Sequence, residues 1–223
     1  RTLRSVRQFK EFSKFMIAFL IYNDGILMAL NFAAIIGAVL YGMNQTQMII
    51  FMIIVQITSV AGAYAFAVIG DKIGYKKSLI YSLLAMIVAV TFMIVNQTLV
   101  GYFIIGGLAG FALTGVQSIS RTMVGMFTPK GQSAEFFGFF SVVGRTSSFI
   151  GPTVYGFLAL WAARWFERNQ DMGTLLAEQA GQRVAIGSII LFLVVGLALF
   201  LRVNEKKALE EAIAYSVENG VGA

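Results

Sequence analysis

Three charged side chains lie where the sequence is otherwise apolar: Asp24, Arg121 and Arg145. Asp24 stands in Tyr22-Asn23-Asp24-Gly25, inside the apolar run 15–41. As a helix that run reaches about 40 Å, more than the hydrocarbon core of a bilayer. A carboxylate near the bilayer centre costs about 2.5–3.5 kcal/mol on insertion scales, so a plain anchor would carry Leu there. Ionisable groups at such depth belong by default to a substrate or ion path. The two arginines suit a carboxylate or phosphate, because the guanidinium fork makes two parallel hydrogen bonds. An excess of Arg over Asp therefore points to an anionic or zwitterionic solute.

Helical spacing groups these residues with neutral polar ones. Asp24 and Asn31 are seven apart and are expected on one face. Thr114, Gln117 and Arg121 form a second polar face, extended by Gly110 and Gly125, and Ser141, Arg145, Ser148 and Pro152 a third. Counted from the start of each apolar run, Asp24 and Arg145 both lie about 13 Å deep, which predicts one shared layer. Two readings of that layer stay open. Asp24 and Arg145 could pair only to neutralise each other and fix packing, or line a water-filled cavity that binds cargo. Under the second, Asp24→Asn and Arg145→Ala should each abolish transport without abolishing insertion.

Composition removes most other chemistry. The chain is 58% hydrophobic and 13% charged, with a mean hydropathy of +0.78. Soluble domains are nearer a quarter charged. Only two prolines and repeated apolar runs of helical length argue for membrane helices rather than a barrel. There is no histidine and no cysteine, which excludes His-based triads, thiol chemistry, disulfides and the usual zinc or haem sites. An enzyme is not expected, nor a metal or cofactor. The net charge of +6 has a topological explanation and calls for no nucleic acid.

Six spans are predicted, at 15–41, 48–69, 79–95, 99–126, 136–163 and 184–201. Residues 1–14, with five basic residues, one acid and apolar side chains at every third position from Leu3 to Phe12, read as a basic amphipathic linker or flank at the membrane surface. Residues 202–223 form a polar tail with a short amphipathic helix expected near 205–215. The longest loop is expected at 164–183. Lys and Arg concentrate in residues 1–14, at Lys72, Lys76, Lys77, Arg121 and Lys130, and in the tail, while the other side holds only Arg164, Arg168 and Arg183. Both termini are therefore expected in the cytoplasm, with Trp161 and Trp165 at the outer interface. The chain opens on Arg, with no cleavable signal pattern, so a longer protein is expected.

Polarity is unevenly shared among the spans. The third and sixth are almost purely apolar through their centres, whereas the others carry Asn23, Gln56, Ser59, Ser118, Ser147 and the residues above. Every third helix is thus expected to face lipid, which suggests two inverted triplets, spans one to three and four to six.

Between spans two and three stands Gly70-Asp71-Lys72-Ile73-Gly74-Tyr75-Lys76-Lys77. Gly74 permits a sharp reversal and the lysines hold it at the lipid face. Asp71 could pair with the positive N-terminal end of a neighbouring helix, such as span five near Ser133 and Phe136. The stretch resembles the cytoplasmic-loop signature of the major facilitator superfamily, with Asp71, Lys72, Gly74, Lys76 and Lys77 matching and Ala67 replacing its first glycine. Phe19-Leu20-Ile21-Tyr22-Asn23-Asp24-Gly25 resembles the start of the second half of the UMF-type transporters, relatives of the autophagy-related vacuolar effluxers of fungi. Gly115 through Arg121, Pro129 through Phe139 and Ser147 through Pro152 are similar to later parts of that family, so the likeness covers nearly the whole chain.

The resemblance implies twelve helices, of which this chain would supply helices seven to twelve. It also implies a secondary transporter working by alternating access with an N-terminal six-helix half, with the signature as a cytoplasmic gate loop and amino-acid efflux as the associated role in fungi. Candidate contacts for the solute are Asp24, Arg145 and Arg121, with Asn23, Gln117 and Tyr22 as neutral partners. A coupled proton would need a carboxylate, and Asp24 is the one well inside a span. Pro152 is expected to free a carbonyl one turn earlier and to bend span five. The rival expectation is a complete six-span channel or a non-transporting membrane assembly subunit. A bacterial inner or plasma membrane is the expected location.

Overall fold

The computed structural model describes residues 9–218, which form seven helices and no strand. They are α1 (Lys10–Tyr41), α2 (Gln45–Ile73), α3 (Tyr75–Val95), α4 (Leu99–Phe127), α5 (Ser133–Asn169), α6 (Thr174–Leu201) and α7 (Glu205–Glu218). Residues 1–8, which hold most of the expected linker, lie outside the described part. Five helices, α1 to α4 and α6, are long and apolar enough to cross a membrane. The sixth, α5, is the longest at 37 residues. Its serines, threonines, Pro152 and Arg145 keep it below that apolar standard, yet it runs beside α1 and α6. The architecture is an all-α membrane bundle consistent with one half of a major facilitator fold.

The connections are shorter than the sequence suggested. The expected loop at 164–183 is helical at both ends and only residues 170–173 remain between α5 and α6. The apolar runs end before the helices do, because the backbone keeps its helical hydrogen bonds into the polar flanks. Likewise the α1–α2 turn is only residues 42–44. Gly42 closes α1 in the left-handed conformation (φ 62), and the Asn44 side chain accepts from Gln47 N–H while the Gln47 side chain answers to Asn44 N–H. That reciprocal cap starts α2 at once. The signature reverses the chain at the single residue Gly74, whose φ of 94 favours glycine.

The helices interlace across the two triplets. α1 packs on α5 and α6, and α4 packs on α2 and α3; α2 touches α3, α5 touches α6, and α3 meets α6. Exchanging α1 with α4, α2 with α5 and α3 with α6 turns this set of contacts into itself, as an inverted repeat requires. Helices in lipid associate by close packing of small residues rather than by a hydrophobic driving force. Gly62 of α2 illustrates this: a Cβ there would lie 2.1 Å from the Phe111 carbonyl oxygen of α4, so any side chain would push the pair apart.

Lipid exposure does not follow polarity as simply as expected. α3 does present an apolar outward face of Tyr81, Leu84, Val88, Phe92 and Val95, and α6 one of Leu191, Val194, Val195 and Leu201. Their opposite stripes, however, are deeply enclosed, with Leu83, Met86, Ala89 and Val90 buried on α3. The least enclosed helices are α2 and α5, which bury only a handful of side chains each. Apolar sequence alone does not tell lipid from protein as the neighbour.

Candidate functional site

α1 and α5 lie side by side, parallel, at a constant offset in sequence. Ser147 Oγ donates to the Leu20 carbonyl at 3.0 Å, and Gly151 N–H donates to Asp24 Oδ1 at 3.1 Å. The same offset brings the Phe9 and Phe136 rings to 5.2 Å and the Phe12 and Phe139 rings to 6.5 Å. By that register Arg145 is level with Ala18, six residues or about 9 Å from Asp24 toward the end where Phe9 lies. The expected shared layer is therefore absent. Counting depth from the first apolar residue misplaced α5, because Phe136 stands level with Phe9 and not with Phe15.

Asp24 does not pair with Arg145. Its carboxylate is buried, 2% exposed, and turned toward the α5 backbone. Gly151 makes this approach possible, since a Cβ there would sit 2.9 Å from the Asp24 carbonyl oxygen and 3.2 Å from Oδ1. Tyr22, fully buried, turns the other way, to α4. Ser120 gives its single hydroxyl hydrogen to the Val116 carbonyl at 2.6 Å, so the Tyr22 hydroxyl is the donor to Ser120 Oγ at 2.8 Å. Asn23 is also buried. Tyr22 and Asp24 thus tie α1 to α4 and α5, inside the bundle.

The arginines behave oppositely. Arg121 and Arg145 are exposed and Gln117 is half-buried. Among the described residues neither guanidinium has a hydrogen-bond or ion-pair partner, and the one ion pair is Lys14 with Glu11 at 2.8 Å. Ser141, Thr146 and Ser148 are exposed beside Arg145, interleaved with Val142 and Phe149, so the middle of α5 offers a mixed polar and apolar surface to whatever lies against it. Asn31, seven residues after Asp24, is exposed as well. It lines a cleft of about 470 Å³ between α1 and α2 with Gln56, Leu30, Met43, Met48 and Met52. Asn31 and Asp24 share a stripe of α1 but not their neighbours, because α5 covers α1 at Asp24, while at Asn31 the neighbouring wall is the cleft. Gly110 departs too, facing Val55 of α2.

The signature residues divide in the same manner. Lys72, Lys77 and Asp71 are exposed, and Asp71 Oδ1 accepts from the Tyr75 hydroxyl at 2.5 Å in place of the expected helix end of α5. Lys76 reaches across to the neighbouring helix α6 and donates to the carbonyls of Val203 at 2.6 Å and Leu201 at 3.2 Å. It thus neutralises the negative C-terminal end of α6. Glu11, 3% exposed, accepts from Asn204 N–H at 2.8 Å beside the start of α7, and from Lys14. A base and an acid from opposite parts of the chain thereby grip the α6–α7 corner at the oppositely charged helix ends. Sequence reasoning missed Glu11; its only signal was being the one acid in a basic stretch.

The bundle thus has a tied interior and two exposed arginines, Arg121 on α4 and Arg145 on α5, without a hydrogen-bond or ion-pair partner among the described residues. A family model described as "Vacuole effluxer Atg22 like" matches residues 1–160. The chain belongs to that family, within the major facilitator type of membrane protein. A Bacillus subtilis (strain 168) relative, described as an uncharacterized MFS-type transporter YxiO, is 20% identical over 206 residues, which cover 92% of this chain and 44% of the relative. Autophagy-related protein 22 of Yarrowia lipolytica is 23% identical over 95% of this chain and 34% of its own length. That of Pichia angusta is 28% identical over 70% and 30%. The chain spans less than half the length of these curated relatives. No solved structure matches.

Proposed function

We propose that this chain is the C-terminal half of a secondary transporter that moves a small anionic or zwitterionic solute, an amino acid being one such, by alternating access against a second six-helix half. It lies in a bacterial inner or plasma membrane with both termini in the cytoplasm, in keeping with the crowding of Lys and Arg on one side of the spans. The observation that carries this reading is that Arg121 and Arg145 are exposed on the long helices α4 and α5, with no hydrogen-bond or ion-pair partner among the described residues. An exposed guanidinium is better served by water or protein than by lipid, which suits a solvated or protein-covered face here. In a water-filled path Arg145 and Arg121 bind the anionic group of the solute, and Gln117 adds a neutral hydrogen bond. The exposed signature residues Asp71, Lys72 and Lys77 serve the cytoplasmic gate, and Gly74 its reversal.

Tyr22, Asn23 and Asp24 take a different role in this proposal: they set the position of α1 against α4 and α5. Any coupling proton must still ride on a carboxylate, since the chain has no histidine, and Asp24 is the candidate. The test is uptake of candidate amino acids and organic anions by the full-length transporter reconstituted in vesicles. Arg145→Ala should lower uptake on the order of 100-fold, the loss of a charge-assisted hydrogen-bonded pair, with membrane insertion unchanged. Uptake at the unsubstituted rate would overturn the proposal.

A further inference from the structure

The outer end of α5 carries two ridges of side chains four residues apart. One is Phe157, Trp161 and Trp165; the other is Leu160, Arg164 and Arg168. Between them runs an open groove of about 430 Å³. All six side chains are exposed, Phe157 by 67% and Trp161 by 55%. The groove extends about 16 Å along the helix, from apolar side chains at its deep end to two guanidiniums at its mouth. It lies at the membrane face opposite Phe9, Phe136 and α7. The bland explanation is an aromatic belt that happens to sit near two arginines.

Several observations favour a built site. Basic residues are scarce on this side, with only Arg164, Arg168 and Arg183 present. Arg183 is consumed inside the protein by the carbonyls of Ile94 and Asn96. Arg164 and Arg168 have no hydrogen-bond or ion-pair partner among the described residues. The nearest carboxylate, Glu167, accepts instead from Thr174 Oγ1 at 3.1 Å. Trp165 is braced edge-on against Phe166, ring centres 5.1 Å apart. Two free positive charges above an apolar lane, framed by indoles at interfacial depth, complement an anionic phospholipid. Its phosphate would lie between the guanidiniums and an acyl chain along Phe157 and Leu160.

We infer that this groove is a binding site for an anionic phospholipid of the leaflet opposite the chain's termini. Arg164 and Arg168 select the headgroup, and Trp161 and Trp165 fix its depth. The site is separate from the solute face around Arg145, about 30 Å away along α5 by helical rise. Its occupancy does not depend on which solute is carried.

The chain's two tryptophans are both in the groove, so their fluorescence reports on it directly. The full-length transporter, with any tryptophan of the other half replaced by phenylalanine, is placed in phosphatidylcholine nanodiscs. Dibrominated phosphatidylglycerol or dibrominated phosphatidylcholine is added as a minor component, because bromines quench indoles they touch. The expected result is stronger quenching by the anionic lipid, with enrichment of about fivefold per arginine. The double variant R164Q/R168Q should lose that preference while keeping the phosphatidylcholine quenching, which also reports that the face is intact. Equal quenching by both lipids in the unsubstituted protein would reduce the groove to an unselective belt. Quenching by neither would mean that protein covers this face, and a preference that survives R164Q/R168Q would remove the arginines from it. Each of these three results overturns the inference.

Discussion

The polar residues of α1 and those of α5 occupy comparably apolar surroundings but meet opposite fates. On α1, Tyr22 and Asp24 are buried and each has one identifiable partner on another helix, Ser120 and the Gly151 amide. On α5, Arg145, Ser141 and Thr146 are exposed, and the Arg145 guanidinium has no partner among the described residues. Polarity within a membrane helix thus has two meanings. A side chain that is satisfied inside the bundle contributes to packing, whereas one left open on a surface marks where something else must come. Charge and depth, the features most visible in sequence, do not separate the two; partner and direction do.

That contrast can be broken from either side. The largest effect is expected from Arg145→Ala on uptake, with little change in thermal unfolding of the detergent-solubilised protein, since its guanidinium is exposed and has no hydrogen-bond or ion-pair partner among the described residues. Gly151→Val should do the reverse and destabilise the fold by about 1–3 kcal/mol, because its added atoms collide with the Asp24 backbone. A thermal midpoint equal to that of the unsubstituted protein would mean that α1 and α5 do not approach as described. Tyr22→Phe removes one buried hydrogen bond and should cost about 1 kcal/mol, read from the same unfolding curve, with uptake unaffected.

The smallest structural effect is expected from Asp24→Asn. An amide oxygen can still accept the Gly151 N–H, so stability should change by less than about 1 kcal/mol. Uptake near the normal rate would mark Asp24 as a tie. Lost uptake with intact stability would instead assign it the coupled proton.

The helices themselves were legible in the sequence, because long apolar runs interrupted by Asn96-Gln97-Thr98 or by Gly42 leave few alternatives. The tail helix near Glu205 and the reversal at Gly74 were legible for similar reasons of pattern and backbone freedom. Register was not. The depth of Arg145 depends on where α5 begins, and that is set by Phe136 docking against Phe9 and Phe12 rather than by hydropathy. Direction was equally hidden. The seven-residue spacing of Asp24 and Asn31 puts them on one stripe of α1, but different neighbours stand opposite the two levels. Lys76 shows the same limit: a signature residue assigned to a gate from its motif also caps a distant helix.

The exchange of partners between triplets has a consequence for biosynthesis. Within this six-helix unit α1 is made before the helices it packs on, α5 and α6, with α2, α3 and α4 made in between. Until they arrive, Asp24 has no amide to bind, and Leu20 waits for the hydroxyl of Ser147. Meanwhile α2, α3 and α4 can already assemble around the Gly62–Phe111 contact. The nascent bundle is therefore expected to mature from its middle outward, with α1 left without these partners until α5 and α6 are made.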